Sequence, residues 1–512
     1  MTSGQPYRQH QQPQPWQQPQ FPAPAQNVRY PQQAPYPPQQ QAPYAPPQQP
    51  FQQPFPPQPP PRRRRTGLWI TVGVLAVVVT VGVGAVVGVT LAGRPAQGNA
   101  QDDGDPNTVK VTQEELKQAV EAHSKAFAAG DLKGYLRIFD QKNSRLIKEQ
   151  SRTFQNLRKM PLDTADFAIL DQQGLAQNNF GKGVTFSLDV AFVHRFAGID
   201  LRPVPEWYRW TVTKAGRGAP LVVTKVGGAP SPLGDSRTVF YPAPWDLWPD
   251  VSVTKTRHTI VLAAPSQAAE ARKLAATAEE AAAGDLDFWA ENGDKTAEVP
   301  TGFVVALVRG KSQLGHLFRT AKGKVTESGI SIGMPTFRGS GDQVKIGGSR
   351  VVVDTTSQFF EDTAGAKEIF RHEIAHSLVA TLDSGDFDLL GQEHWIVEGF
   401  AEYVAHRGQG VEADRRTPET RAYVQGRLAQ KFQGRIPDNL SWDLDGLTSV
   451  NYQLGHLAIQ MIAEKYGEAK MVGFVAAHYR GKKADAAFRE VLGVGEQEFE
   501  RKWAQYVRGK LA

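Results

Sequence analysis

The chain has 512 residues, with 58 Lys and Arg against 52 Asp and Glu, and a length beyond one ordinary core predicts more than one folded unit. Much of the positive excess is one run, Arg62 to Arg65; without it the chain is close to neutral, which excludes reading the charge as the footprint of a nucleic-acid partner. There is no cysteine, so disulfides, cysteine nucleophiles and thiolate metal sites are excluded, and any metal must be held by His, Asp or Glu.

Residues 1–61 are almost wholly Pro, Gln, Ala and aromatic, as in QQAPYPPQQQAPYAPPQQP. Such a stretch buries too little apolar surface to offset its ordering entropy, so a disordered tail with local polyproline II character is predicted. It reads either as a solvated spacer or as a ligand for a proline-motif-binding partner. Residues 62–94 follow, with four arginines and then an uncharged apolar run from Thr66 to Gly93, longer than the roughly 20 residues that cross a bilayer. A cleaved signal peptide would not follow so long a tail, so a transmembrane helix is expected. Arginines before the span and Asp102, Asp103 and Asp105 after it place the N-terminus in the cytoplasm and the rest of the chain outside it. Gly84 and Gly88 allow helix pairing in the membrane without requiring it, and the oligomeric state stays open.

After a linker over 95–106, a first soluble domain is expected over 107–228. VTQEELKQAVEAHSKAFAAGDLKGYLRIF has helical spacing, with Leu116, Val120, Phe127, Leu136 and Phe139 on the apolar side and a break at Gly130. GVTFSLDVAFVHRF, EWYRWTVTKAG and APLVVTKVG read as strands. A helical start, the phrase AFAAGDLKGYLRIF and closing long strands resemble the NTF2-like α+β fold. A second domain is expected over 236–512. HTIVLAAP, GFVVALVRG, SGISIGMPTF and SRVVVDTTSQ read as strands, SQAAEARKLAATAEEAAAGDLDFWA as a long helix, and the chain from Ala364 onward as predominantly helical. The fold class is therefore α+β.

Residues 372–376 read HEIAH. Positions four apart share one helix face, so His372 and His376 can present imidazole nitrogens to one ion, with Glu373 one step round the helix. The same pentapeptide arises by chance in about one chain in a hundred of this length, so an ordinary helix with two histidines is the competing reading. Further on comes HWIVEGFAEYVAH, with Glu398 twenty-two residues after His376. A catalytic zinc site needs a third protein ligand and an open position. The pattern W-x-x-E-G-x-A-E-Y resembles the third-ligand helix of the gluzincin metallopeptidases, in particular the peptidase MA-like group related to the M1 aminopeptidases and thermolysin. That resemblance covers roughly residues 250–512 and implies a strand-rich half and a helical half with the active site between them. It implies one zinc ion on His372, His376 and Glu398, Glu373 as general base, and Glu402 as a carboxylate behind His372; a solvated surface acid is the other reading of Glu402. It also implies that Tyr452, in Y-Q-L-G, is the hydroxyl that stabilises the oxyanion, against a packed core tyrosine. His456 is an alternative donor and reads better as structural, while His394 and His406, flanking the Glu398 helix, read as surface or capping residues, with a place in the cleft lining as the other reading. The G-A-M-E-N segment of aminopeptidases is missing; ISIGMPTF stands as the corresponding edge strand, leaving endo- or exopeptidase action open. The function expected is a membrane-anchored zinc metallopeptidase acting on a peptide or protein substrate outside the cytoplasm. The alternatives are an inactive peptidase-fold scaffold and a zinc-dependent envelope amidase.

Overall fold

The computed structural model describes residues 108–512 except 173–175, 231–237, 239, 319–326, 338–344, 384–391 and 443–445. The tail and the membrane span expected over 62–94 lie outside the described residues, among which no helix is long and apolar enough to cross a membrane. A two-residue strand, β1 (Val109–Lys110), leads into α1 (Gln113–Ala128). Thr112 starts this helix with a reciprocal cap: its hydroxyl accepts from the Glu115 amide at 3.2 Å, and its own amide donates to Glu115 Oε2 at 3.0 Å. Asp131 and Asn143 cap α2 (Leu132–Leu136) and α3 (Ser144–Leu157) through their side chains. The chain then runs through β2 (Leu162–Gln172), β3 (Gln177–Asn178), β4 (Val184–Phe196), β5 (Val204–Lys214) and β6 (Leu221–Gly228). β3 pairs with β1; the other four form one antiparallel sheet in the order β2-β4-β5-β6.

The second half begins with α4 (Pro244–Leu247), β7 (Ser252–Lys255), β8 (Thr259–Ala263), α5 (Ala268–Asn292), β9 (Phe303–Val308), α6 (Lys311–His316), β10 (Gly329–Pro335) and β11 (Ile346–Asp354). Its sheet has the order β10-β11-β9-β8-β7, with β8, β9 and β11 parallel and antiparallel strands at the two ends. The ISIGMPTF strand is thus at an edge. Central strands buried on both faces read as unbroken apolar runs, and here each face has its own cover. Val261, Ala263, Val305, Leu307, Val351 and Val353 join the alanine-rich α5 in one core. The alternate residues Ile260, Leu262, Val304, Ala306, Val308 and Val352 share a second core with Phe127, Phe192 and Trp210 of the first region. The two sequence-defined domains therefore share one apolar interior. A fully buried ion pair crosses the same junction: Arg350 on β11 donates to both Asp200 carboxylate oxygens at 2.7 and 2.9 Å, and its Nη2 lies 3.1 Å from His194 Nε2.

The helical half comprises α7 (Thr363–Val379), α8 (His394–His406), α9 (Thr417–Val424), α10 (Thr448–Tyr466), α11 (Glu468–Tyr479), α12 (Ala484–Ala487) and α13 (Glu496–Lys510). Asp362 caps α7, accepting from the Gly365 amide at 2.7 Å. Two glycines set the crossing of α8 and α10. A Cβ on Gly399 would stand 2.5 Å from the Gly455 carbonyl oxygen, and one on Gly455 would stand 3.0 Å from that of Trp395. Only glycine permits so close a backbone approach. The glycines of W-x-x-E-G and Y-x-x-G are therefore contact points that bring Glu398 and Tyr452 to the same place.

Candidate metal centre

α7 and α8 lie side by side, and their facing turns carry the four residues expected to do the chemistry. His372 Nε2 and His376 Nε2 are 3.1 Å apart. Each is 3.4 Å from Glu398 Oε2. Ligands bound tetrahedrally about 2.0–2.1 Å from a zinc ion are separated by about 3.3–3.4 Å, so the three donor atoms already have the spacing of one coordination sphere. The donor set, two imidazoles and a carboxylate, suits the same ion. Glu398 Oε2 and His376 Nδ1 are buried without a hydrogen-bond partner, which leaves the carboxylate oxygen facing the two rings for a cation to satisfy. The residues fit a zinc ion.

Behind this set is a second row of contacts. His372 Nδ1 donates to Glu402 Oε1 at 3.0 Å, which fixes the ring's orientation and directs Nε2 toward Glu398. Glu402 is 2% exposed, so the surface-acid reading does not hold. Its two oxygens accept from Arg416 Nη1 and Nη2, both at 2.8 Å, a bidentate pair in which the arginine is itself buried. The Arg416 guanidinium also lies over the Tyr452 ring, 5.3 Å from its centroid. On the other side of α7, Arg371 donates to Asp285 of α5 at 2.9 Å, anchoring the turn that precedes His372.

Glu373 is fully buried and neither of its oxygens has a hydrogen-bond partner. It faces Gly329 at the start of β10, where a Cβ would stand 2.6 Å from Glu373 Oε1. Ser331 of the same strand is 2.7 Å from the Ser377 hydroxyl of α7. The edge strand is thus laid across the metal-binding helix. Tyr452 is fully buried, with its ring 6.2 Å from that of His372.

Electrostatics follow the geometry. Burial alone would lower the His372 imidazole, but Glu402 and Glu398 outweigh it and hold it at about 10. In His376 burial wins and the ring is lowered. Burial works to raise the Glu398 carboxyl, yet His376 and His372 bring it down to about 2. Burial also opposes ionisation of Glu402, and Arg416 and His372 reverse this, leaving it well below the usual range. Glu373 is pushed up to about 8, first by burial and then by its acidic neighbours. Burial, with Glu398 and Glu402 nearby, also raises the Tyr452 hydroxyl, which stays protonated at neutral pH. The three ligand atoms converge on one point, and Glu373 is held in a dry site beside them.

All six residues singled out by sequence are brought together. Arg416 is new: nothing in the spacing of DRRTPET marks it, and its role depends on a contact across fourteen positions. His406 and His456 are buried behind Glu402, which corrects the surface reading of His406; its Nδ1 lies 3.1 Å from the Glu402 carbonyl oxygen in the last turn of α8. His394 is half-buried at the start of α8, where its amide donates to Asn439 Oδ1 at 2.8 Å. No protein-family model matches the chain, and no curated protein matches its sequence.

Proposed function

We propose that the chain is a zinc metallopeptidase of gluzincin type, with an NTF2-like first domain, anchored by the span at 62–94 and acting outside the cytoplasm. The observation that carries this reading is the triangle of donor atoms at 3.1, 3.4 and 3.4 Å with a buried, unpartnered Glu373 on the next helical position. His372, His376 and Glu398 hold the zinc. Bound there, the ion supplies an acidified water and polarises the scissile carbonyl. Glu373, buried without a hydrogen-bond partner beside the three ligands, takes a proton from the attacking water at its carboxylate and delivers it to the leaving amine. The protonated Tyr452 hydroxyl donates to the developing oxyanion. Glu402, clamped by Arg416, keeps His372 in the tautomer that leaves Nε2 free. An extended peptide added to the edge strand β10 passes Gly329, and so comes alongside Glu373.

Glu373→Gln tests the reading, because it keeps the shape and removes the base. Zinc content should be unchanged, while hydrolysis of a quenched peptide library should fall by about 10²–10⁴-fold. Full cleavage by the zinc-loaded variant would sink the mechanism.

A further inference from the structure

One turn beyond Glu402 on α8, away from the first metal set, lies a second group of buried metal-ligating side chains that the proposed chemistry does not use. One ring nitrogen of His406, one of His456 and a carboxylate oxygen of Asp414 lie within 4.8 Å of one another. All three residues are buried, with 4%, 7% and 2% of their surface exposed. Asp414 Oδ2 faces His456 Nδ1 at 3.8 Å, beyond hydrogen-bonding distance. The two rings are stacked with centroids 5.4 Å apart. Glu368 of α7 brings a further carboxylate, with Oε1 3.6 Å from His406 Nε2. Asp414 Oδ2, His456 Nδ1, His406 Nε2 and Glu368 Oε1 all lack a hydrogen-bond partner. Four unpartnered polar atoms in one buried patch are unusual for a folded protein and point to a missing ligand.

Three carboxylates, Glu368, Glu402 and Asp414, are gathered here. Arg416 pairs with Glu402 and reaches Asp414 Oδ1 at 3.4 Å, and Arg415 Nε is 3.6 Å from Glu368 Oε2.

We propose that His406, Asp414 and His456 hold a second divalent transition-metal ion, with its fourth position taken by Glu368 or water. Two imidazoles and one carboxylate select zinc or a similar late first-row ion over calcium or magnesium, which favour all-oxygen shells. The ion is structural, because it ties α7, α8, α10 and the segment before α9 together directly behind Arg416. It thereby supports the clamp on Glu402, and through it the first metal.

Metal counting on the full-length chain decides the matter. After chelator stripping, the protein is titrated with zinc, exchanged into metal-free buffer and assayed for bound metal. Wild type should hold two ions. His376→Ala with Glu398→Ala removes two ligands of the first site, leaves the His372–Glu402 pair in place, and should hold one. Zinc should raise the Tm of that variant, and adding His456→Ala to it should abolish both the bound ion and the Tm rise. In a cobalt-loaded sample of the same double variant, visible d–d bands of a nitrogen- and oxygen-ligated ion are expected. A folded His376→Ala, Glu398→Ala chain that binds no zinc overturns the second site, whatever happens at the first. If wild type binds one ion and that double variant also binds one, the second site stands and the first is lost, so the two proposals fail separately.

Discussion

Glu402 and Glu206 are equally buried, at 2% and 1% exposure, yet their carboxyls are driven in opposite directions. Burial raises both. Around Glu402 it is overcome by Arg416 and His372, and the group stays ionised. Glu206, on β5, faces a second acid, Asp246, and is raised well above its usual range by burial and by that neighbour. Glu206 Oε2 accepts from the Trp245 indole at 2.7 Å and from the Tyr208 hydroxyl at 2.9 Å; the same hydroxyl is 3.0 Å from Asp246. One hydroxyl proton cannot serve both carboxylates, so the pair keeps a proton of its own. The comparison separates two uses of a buried acid. Glu402 keeps its charge behind His372, whereas Glu206 and Asp246 form a proton-sharing lock between the first region and the segment entering the second sheet. The lock is supported by Asn156, whose side-chain amide donates to the Trp245 and Trp248 carbonyls, both at 3.1 Å.

If the lock side is part of the protein's interior, removing it should have the largest effect. Expressed alone, residues 236–512 would expose Ile260, Leu262, Val304, Ala306, Val308 and Val352 together on one sheet face, with Arg350 stripped of Asp200. An apolar patch of that extent promotes aggregation. The fragment is expected to be insoluble or molten, with a near-ultraviolet dichroism weaker than that expected of residues 108–512. A well-folded, zinc-binding fragment would instead make the first region an accessory.

The next effect tests the charged side. Arg416→Met leaves Glu402 buried without its bidentate partner, a change that typically costs about 3–5 kcal/mol. It also loosens the orientation of His372, so zinc affinity should drop about 10–100-fold. Lysine in the same place should recover part of the stability and less of the affinity, because it cannot present a planar fork. Competition against a zinc chelator, alongside urea unfolding, measures both.

Those two effects also divide what the sequence could disclose from what it could not. His372 and His376 were legible because helix geometry alone fixes residues four apart, and Glu398 and Glu402 because they repeat that spacing within a recognisable pattern. Arg416 was not, since its partner is set by how α8 packs against the turn before α9. Asp285 and Arg371 pair across 86 positions and left no local trace. In the first region, the helix Ser144–Leu157 escaped notice because half of its buried face is polar: Gln150, Thr153 and Asn156 lie beside Leu146, Phe154 and Leu157. The strand Leu162–Gln172 is hidden in the same way: over 162–170 Phe167 alone is strongly buried, and acids are interspersed. The α+β class could be read because long Val- and Ile-rich runs have few other uses, and the edge position of ISIGMPTF only through the family resemblance. The shared core could not, because a run buried on both faces does not say what covers each.

A smaller effect separates helix packing from charge. Gly455→Ala puts a methyl group into the α8–α10 crossing, 3.0 Å from the Trp395 carbonyl oxygen, without touching any charged residue. Overpacking of this kind costs about 1–3 kcal/mol. Zinc affinity should fall along with Tm, because Glu398 moves with α8. Unchanged affinity with a lowered Tm would show that the ligand triangle tolerates displacement of the helix.

The smallest and most diagnostic effect belongs to the Glu206–Asp246 lock. In the unfolded chain Glu206 ionises near the ordinary carboxylate value; in the folded chain burial and Asp246 keep it protonated well above that. Between those two points the unfolded state has lost a proton that the folded state still holds, so stability falls as pH rises. It is fully present below the unfolded value and lost on passing through the folded one. Asp246, raised chiefly by burial, adds a slope of the same sign. Glu206→Gln removes one titrating group while its amide oxygen can still accept from the Trp245 indole. The Tm of the variant relative to wild type should therefore climb between pH 5 and pH 8, with the gap moving in the variant's favour. A gap independent of pH would mean that Glu206 is ionised in the folded protein, and that the two buried acids differ in their partners but not in their charge.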